Sequence, residues 1–141
     1  MYAKKIKFVD FNGKEHEKTF LFNLTKAELL EMQVSIGGGL TEYVKRIIET
    51  EDQPKLAELF KKLILMSYGE KSDDGMRFIK RDPVRGKLAD EFEQTAAYSE
   101  LYTELSTNEQ AAIDFITQVI PADVRAEAEK QSGDAFPPSV Q

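Results

Sequence analysis

An Asn-Gly pair at residues 12–13 constrains the fold more than any other feature of this 141-residue chain. It separates two runs rich in aromatic and β-branched side chains, KKIKFVDF at 4–11 and HEKTFLFN at 16–23. Asn-Gly between such runs signals a β-hairpin, because both central residues of the tightest hairpin turn need positive φ. Lysine and apolar side chains alternate over residues 5–8, which predicts one half-buried face. We expect a hairpin over residues 4–23, packed against another element.

Helical signals follow the hairpin. Thr25 and Glu28 have the spacing of a capping box, in which each residue's side chain binds the other's backbone N–H, and they predict a short helix. Apolar residues recur at helical spacing over residues 40–49, which predicts an amphipathic helix. Residues 54–66 form the most apolar segment of the chain. We expect a helix there at the centre of the core, ended by Gly69.

Three consecutive glycines lie in SIGGGL, residues 35–40. Glycine-rich loops bind phosphate when Gly-Lys-Ser/Thr follows, or when the loop joins a strand to a helix in a dinucleotide fold. Neither context is present in the sequence. The run is therefore interpreted as a helix stop and hinge, for which glycine supplies the left-handed conformation.

The segment YGEKSDDGMRFIK, residues 68–80, has the composition of a ligand site. A calcium loop beginning at Asp73 requires a glutamate at its twelfth position, and that residue is Val84. The Asp-Gly pair at residues 74–75 is instead typical of a turn. We expect a short strand or extended arm after this turn, with Phe78 packed on the helices.

The second half of the chain has a helical pattern. Residues 88–105 place apolar side chains on one helix face and the acids Glu91, Glu100 and Glu104 on the other. The apolar face consists of Leu88, Phe92, Tyr98, Leu101, Tyr102 and Leu105. Tyrosines are enriched at interfaces but also pack in cores, so both placements are open for the two tyrosines.

A second capping-box pattern, at Thr107 and Gln110, predicts another helix, which Pro121 ends. Apolar residues surround this helix almost completely, which indicates burial on two sides. After the proline we expect a short acidic helix over residues 122–131 and a flexible tail over residues 132–141.

Length and composition are those of one globular domain, which we place at residues 1–131. The predicted fold class is α+β, an N-terminal β-hairpin packed on a mainly α-helical bundle with a flexible C-terminal tail. The chain has no cysteine, which excludes disulfides and thiolate metal ligands. No apolar run approaches the roughly 20 residues of a membrane span and no signal peptide is visible, so we expect a cytoplasmic protein without a membrane partner.

Charge is distributed unevenly along the chain. The net charge is −6, with +3 in residues 1–87 and −9 in residues 88–141. Blocks of one sign favour partners of the other sign and steer their encounter. Nucleic acid requires a basic stripe, but the lysines and arginines of residues 61–81 are interspersed with acids. We expect no nucleic-acid partner.

Catalytic residues are not evident. His16 is the single histidine, so one chain cannot form a multi-histidine metal site, and the expected strand position beside a turn is solvated. Adjacent acids such as Asp73 and Asp74 seldom acquire the perturbed pKa that catalysis requires. We expect a non-enzymatic protein with no cofactor and no metal.

A resemblance to a known family covers residues 66–121. It rests on YGEKSDDGMRFIK at 68–80, FEQTAAYSELYTEL at 92–105, and AAIDFI at 111–116 followed by Ile-Pro at 120–121. In order and spacing, these segments resemble the tail assembly chaperones of long-tailed bacteriophages, particularly those that infect Gram-positive hosts. The hairpin and first helices resemble the family in layout more than in residues.

The resemblance implies a non-enzymatic function in the host cytoplasm. Such chaperones bind the tape measure protein, protect its long helical apolar surface, help to recruit tail tube subunits and are absent from the finished virion. A second copy of the chain, in a homo-oligomer, is a further candidate partner. A retained small structural protein, such as a tail completion or connector component, is the alternative. Because a helical client is held by apolar anchors with charges at the rim, the predicted partner-binding residues are Phe78, Phe92, Tyr98, Glu100, Leu101, Tyr102 and Glu104.

Overall fold

The computed structural model describes residues 1–36, 49 and 51–120 of the chain. Several predictions concern residues outside this part: the glycines at 37–39, all but the last residue of the helix over 40–49, the acidic helix over 122–131 and the tail over 132–141. The extent of the domain to residue 131 likewise stays a prediction.

The strands form a four-stranded antiparallel sheet and a small ribbon. The sheet consists of β1 (Tyr2–Val9), β2 (Glu15–Phe22), β3 (Tyr68–Lys71) and β4 (Phe78–Ile79), in the order β1-β2-β3-β4. The ribbon pairs β5 (Arg81–Asp82) with β6 (Gly86–Lys87). The predicted hairpin is β1 and β2, with Ile6 opposite Lys18 and Phe8 opposite His16.

The hairpin turn differs in detail from the prediction of two central residues with positive φ. The Asp10 N–H donates to the Lys14 carbonyl at 2.8 Å, which leaves a three-residue loop between them. Within that loop Gly13, with φ of 84°, is the residue in the left-handed region. The Asp10 carboxylate accepts the N–H groups of Asn12 and Lys14 at 2.9 Å each. This side-chain bonding stabilises the longer loop, in which glycine alone needs positive φ.

Five helices are described: α1 (Lys26–Ile36), α2 (Gln53–Ser67), α3 (Leu88–Glu93), α4 (Ala96–Thr107) and α5 (Glu109–Val119). The predicted capping box of α1 is confirmed. The Thr25 N–H donates to the Glu28 carboxylate at 2.8 Å, and the Glu28 N–H donates to the Thr25 hydroxyl at 3.2 Å. Asp52 caps α2 with a single hydrogen bond, in which its carboxylate accepts the N–H of Lys55.

Two predicted helix boundaries are wrong. Residues 88–105 are not one helix, because Thr95 interrupts them and caps α4 by accepting the N–H of Tyr98 at 3.2 Å. The second capping box does not form, since Thr107 lies in α4 and donates to the carbonyl of Thr103. Asn108 instead ends α4 and caps α5 by accepting the N–H of Ala111.

Strand β3 was not predicted. Helix α2 ends at Ser67, before the expected stop at Gly69, and the chain leaves it directly as a strand that pairs with β2. The Asn23 N–H donates to the Ser67 carbonyl at 2.7 Å and joins the helix end to β2. A Cβ on Gly69 would lie 2.6 Å from the Phe78 ring. Residue 69 must therefore be glycine, because the Phe78 ring of β4 lies directly against it.

The predicted turn at residues 74–75 is confirmed. Gly75 has φ of 73°, and the Asp74 carboxylate accepts the Ser72 hydroxyl at 2.7 Å and the Met76 N–H at 3.0 Å. Phe78 follows in β4, but it lies over Gly69 of β3 instead of on the helices. Its neighbour Ile79 is the β4 residue that packs against the core.

A single apolar cluster joins one face of the sheet to the helices. The largest fully buried residues, all below 2% exposed, include Phe22, Leu24, Leu63, Ile64, Leu88, Leu101, Leu105 and Phe115. Phe22 of β2 contacts Tyr2, Tyr68, Phe92 and Phe115 with ring centroids 5.6–6.3 Å apart. The predicted α+β class, a hairpin packed on helices with α2 at the centre, is confirmed.

Candidate partner-binding surface

Helix α4 carries five of the seven predicted partner-binding residues. Its buried stripe, Ala97, Leu101 and Leu105, recurs every four residues and packs into the core. Because successive residues of an α-helix are rotated by about 100°, the side chains next to this stripe lie on two opposite flanks of the helix. One flank faces α2 and α3, and the other faces β1.

Two predicted anchors are core residues. Phe92 is 2% exposed and stacks on Tyr68, with centroids 4.2 Å apart and ring planes 8° from parallel. Leu101 is 1% exposed. The prediction that they lie at the surface is wrong, because the hydrophobic pattern that suggested a client surface is the one that packs α3 and α4 on the sheet. Neither side chain is accessible to a partner in this conformation.

Tyr98 and Tyr102 form what we call the tyrosine flank of α4. Both are half-buried, with ring centroids 5.8 Å apart. Tyr98 packs edge-on against Phe92 at 5.9 Å, and the Tyr102 hydroxyl donates to the Ala57 carbonyl of α2 at 3.4 Å. Burial, reinforced by Glu93, raises the pKa of Tyr98 to about 12. The two rings are thus packed against the core and remain partly exposed.

The predicted acids lie apart from the tyrosines. Glu100 is exposed, whereas Glu104 is half-buried and accepts a hydrogen bond from the Lys4 ammonium at 2.9 Å. Both glutamates belong to the flank of α4 that faces β1. A groove of about 240 Å³ lies between them and the strand, lined by residues 4–7 of β1 and by Glu100, Thr103 and Glu104. The groove was not predicted, because it depends on how α4 packs beside β1, although the alternating lysines of β1 are visible in the sequence.

Glu91, predicted on the helix face opposite the apolar anchors, forms an ion pair with Arg85 in the loop of the ribbon. Arg85 lies between two carboxylates, donating to Glu91 at 2.7 Å and to Glu70 at 3.0 Å. The hydrogen bond from Arg85 lowers the pKa of Glu91. Phe78, the remaining predicted residue, is half-exposed with the Lys80 ammonium 5.7 Å from its ring centroid. The seven residues do not form one contiguous surface.

Lys80 is a structural residue that sequence reasoning missed. Its half-buried ammonium donates three hydrogen bonds of 2.7 Å, to the Asn23 and Met66 carbonyls and the Glu28 carboxylate. Burial lowers the pKa of Lys80 despite the hydrogen bond with Glu28. For Glu28, burial opposes ionisation, but the hydrogen bonds from Lys80 and Thr25 outweigh it and lower the pKa. No local pattern identifies such a residue, because its three acceptors are distant in sequence.

The side chains that could bind a metal ion lie apart from one another in the described ranges. Among residues 1–36, 49 and 51–120, no three carboxylate or histidine side chains are placed to hold a metal ion. His16 stacks on Phe8, and its Nε2 lies 2.7 Å from the Asp10 carboxylate at the hairpin turn. No helix in these ranges has the length and apolar content to span a bilayer.

Comparison with known proteins identifies the family. No curated protein and no solved structure matches the chain. A family model described as phage tail assembly chaperone matches residues 1–140, which is nearly the whole length, and agrees with the resemblance found in residues 66–121. The chain therefore belongs to the phage tail assembly chaperone family.

Proposed function

We propose that this chain binds the tape measure protein in the host cytoplasm, keeps its apolar helical surface from aggregating, and helps to recruit tail tube subunits. Membership of the tail assembly chaperone family over residues 1–140 is the observation that carries the proposal. The family supports a non-enzymatic role in which the partners are proteins. The chain acts during assembly and is absent from the finished particle.

The tyrosine flank of α4 is the proposed client contact. Its two rings are held by Phe92 and Ala57 and are partly exposed, so they offer apolar area with little loss of side-chain freedom on binding. A helical client is commonly bound through apolar anchors of this kind. Glu100, exposed on the other flank, contributes to the acidic field that attracts basic client segments.

Co-purification from cells that co-express this chain and the tape measure protein tests the client. Tyr102→Ala removes a ring edge, whereas Tyr102→Phe keeps the ring and loses only the hydroxyl bond to Ala57. We expect Tyr102→Ala to weaken co-purification at least tenfold and Tyr102→Phe to change it less than threefold. Circular dichroism must show both variants folded. Full recovery of the client by folded Tyr102→Ala would contradict the assignment of the site.

Mass spectrometry of purified virions tests the role as a chaperone. We expect this chain in lysates of infected cells and not in particles, because an assembly factor leaves its client when the tube has formed. Detection in virions at the stoichiometry of a ring or tube component would instead establish the alternative, a structural protein retained in the particle.

A further inference from the structure

In the part of the chain that the structure describes, strand β1 lies at one edge of the sheet. Within the described residues it pairs with β2 on one side and with no strand on the other. It is also long, with eight residues against two in β4, the strand at the opposite edge. Long unpaired edges accept strands from other chains.

The hydrogen-bond register shows which backbone groups face outward. The Asp10 N–H donates to the Lys14 carbonyl, and directly bonded pairs of an antiparallel ladder recur at every second residue. The even-numbered residues of β1 therefore bond to β2. The N–H and C=O groups that point away from β2 belong to Ala3, Lys5, Lys7 and Val9. No residue in the described part of the chain forms a hydrogen bond to these groups.

A groove lies along this edge of the sheet, and α4 forms one side of it. Glu100, Thr103 and Glu104 line one side of it, and residues 4–7 of β1 line the other. The ion pair of Lys4 with Glu104, at 2.9 Å, holds the helix against the strand. An added strand would have one face toward these α4 side chains and the other toward solvent.

The charges on the solvent-exposed face of β1 determine which kind of strand can pair with it. The side chains of Lys5 and Lys7 are 66% and 83% exposed, and among the described residues Glu17, 3.6 and 3.5 Å away, is the carboxylate paired with both. A second copy of β1 would place lysines against lysines, which opposes self-pairing. Acidic side chains at alternate positions of an added strand would meet the two lysines. The intervening side chains would face Glu100 and so must not be acidic.

We propose that β1 is a docking edge for an extended protein segment with acidic residues at every second position and hydroxyl-bearing or small residues between them. The segment extends the sheet by backbone hydrogen bonds to Lys5 and Lys7, and its acids contact their ammonium groups. The site is distinct from the tyrosine flank and does not depend on which protein is the client of α4.

A synthetic ten-residue peptide of alternating threonine and glutamate, with blocked ends, tests the proposal on the full chain. Fluorescence anisotropy measures binding, and a peptide of alternating threonine and lysine is the charge control. Amide hydrogen exchange provides an internal control at single residues. We expect the acidic peptide to slow exchange at Lys5 and Lys7 at least tenfold while Ile6, already bonded to β2, changes little.

Two variants separate the contribution of the backbone hydrogen bond to peptide affinity from that of the lysine charge. Lys5→Pro removes one outward N–H, which a strand edge tolerates, and Lys5→Thr keeps that N–H while removing the charge. We expect at least a tenfold loss of peptide affinity for Lys5→Pro and a smaller loss for Lys5→Thr. If Lys5→Pro does not fold, the proposal is tested by amide hydrogen exchange of the unmodified chain with and without the acidic peptide.

Three results would overturn the proposal. The first is no binding of the acidic peptide, or equal binding of the lysine peptide. The second is slowed exchange without the alternation between odd and even residues of β1. The third is a dimer in sedimentation that Lys5→Pro converts to monomer, since a second copy would then be the occupant of the edge.

Discussion

Lys80 connects three elements through one side chain. Its ammonium satisfies the carbonyls at the end of β2 and near the end of α2, and it pairs with the capping glutamate of α1. Lys80 can remain charged with its side chain only 23% exposed, because each N–H group of its ammonium has an acceptor. The residue therefore fixes the positions of α1 and α2 relative to the sheet.

Replacing Lys80 with methionine is expected to destabilise the protein. Lys80→Met keeps the length of the side chain but removes the ammonium donor from two carbonyls and from Glu28, which keeps its hydrogen bonds from Thr25. The lost hydrogen bonds cost about 1–3 kcal/mol. Chemical denaturation measures the loss. Lys62→Met, at an exposed position of α2, is the control and should change the free energy of unfolding by less than about 0.5 kcal/mol. Equal effects of the two substitutions would show that the Lys80 hydrogen bonds contribute nothing.

The stabilisation from ionised Glu28 should depend on pH. Its pKa in the folded state lies below the usual 4.5, so the stabilisation is fully present above that value and is lost as the pH falls through the lower folded pKa. Glu28→Gln removes this titration. We expect the gap in free energy of unfolding between the two proteins to be constant from pH 6 to 7 and to shrink as the pH falls below 4.5. A gap independent of pH down to 2.5 would contradict the assignment.

At the scale of elements, α2 is the centre of the core and β4 is its margin. Leu63 is fully buried in α2, whereas Phe78 of β4 is half-exposed over Gly69. Because the two elements are buried to different depths, the loss of a large side chain should lower the free energy of unfolding by different amounts in α2 and in β4.

Leu63→Ala should lower the free energy of unfolding by about 2–5 kcal/mol, since it removes buried methyl groups and leaves a cavity. Phe78→Ala should lower it by less, because this side chain is already partly exposed. Urea denaturation of both variants provides the comparison. A larger loss for Phe78→Ala would mean that β4, and not α2, supports the fold.

At the scale of the whole molecule, charge is separated along the chain. Residues 88–141 carry −9, and within them α4 exposes Glu100 beside the β1 groove. Lysines of β1 line the same groove, so the acidic and basic segments meet where α4 crosses β1. Exposed charges of this kind act mainly on the rate of encounter.

Reversal of an exposed charge should therefore slow association with a basic client at low salt. We expect Glu100→Lys to reduce the association rate several-fold at 20 mM salt and by less than twofold at 500 mM, where screening is strong. Stopped-flow measurements with the tape measure protein provide the rates. The dissociation rate should change little. A reduction that persists at high salt would indicate direct contact of Glu100 with the client.

Local sequence determined the elements whose signals are local. The hairpin, the capping box at Thr25, the apolar helix α2 and the turn at residues 74–75 each depend on neighbouring residues, and each was predicted. The order and spacing of segments in residues 66–121 likewise indicated the family that the match over residues 1–140 shows. These features need no knowledge of what the segments pack against.

Tertiary structure alone decided what depends on distant partners. YGEK at residues 68–71 becomes a strand because β2 offers it hydrogen bonds, and Lys80 is buried because its three acceptors converge there. The same helical periodicity suits a core stripe and a binding surface, so the sequence could not assign Phe92 and Leu101 to the core. Only the packing of α3 and α4 on the sheet buries them, and it leaves Tyr98 and Tyr102 half-buried.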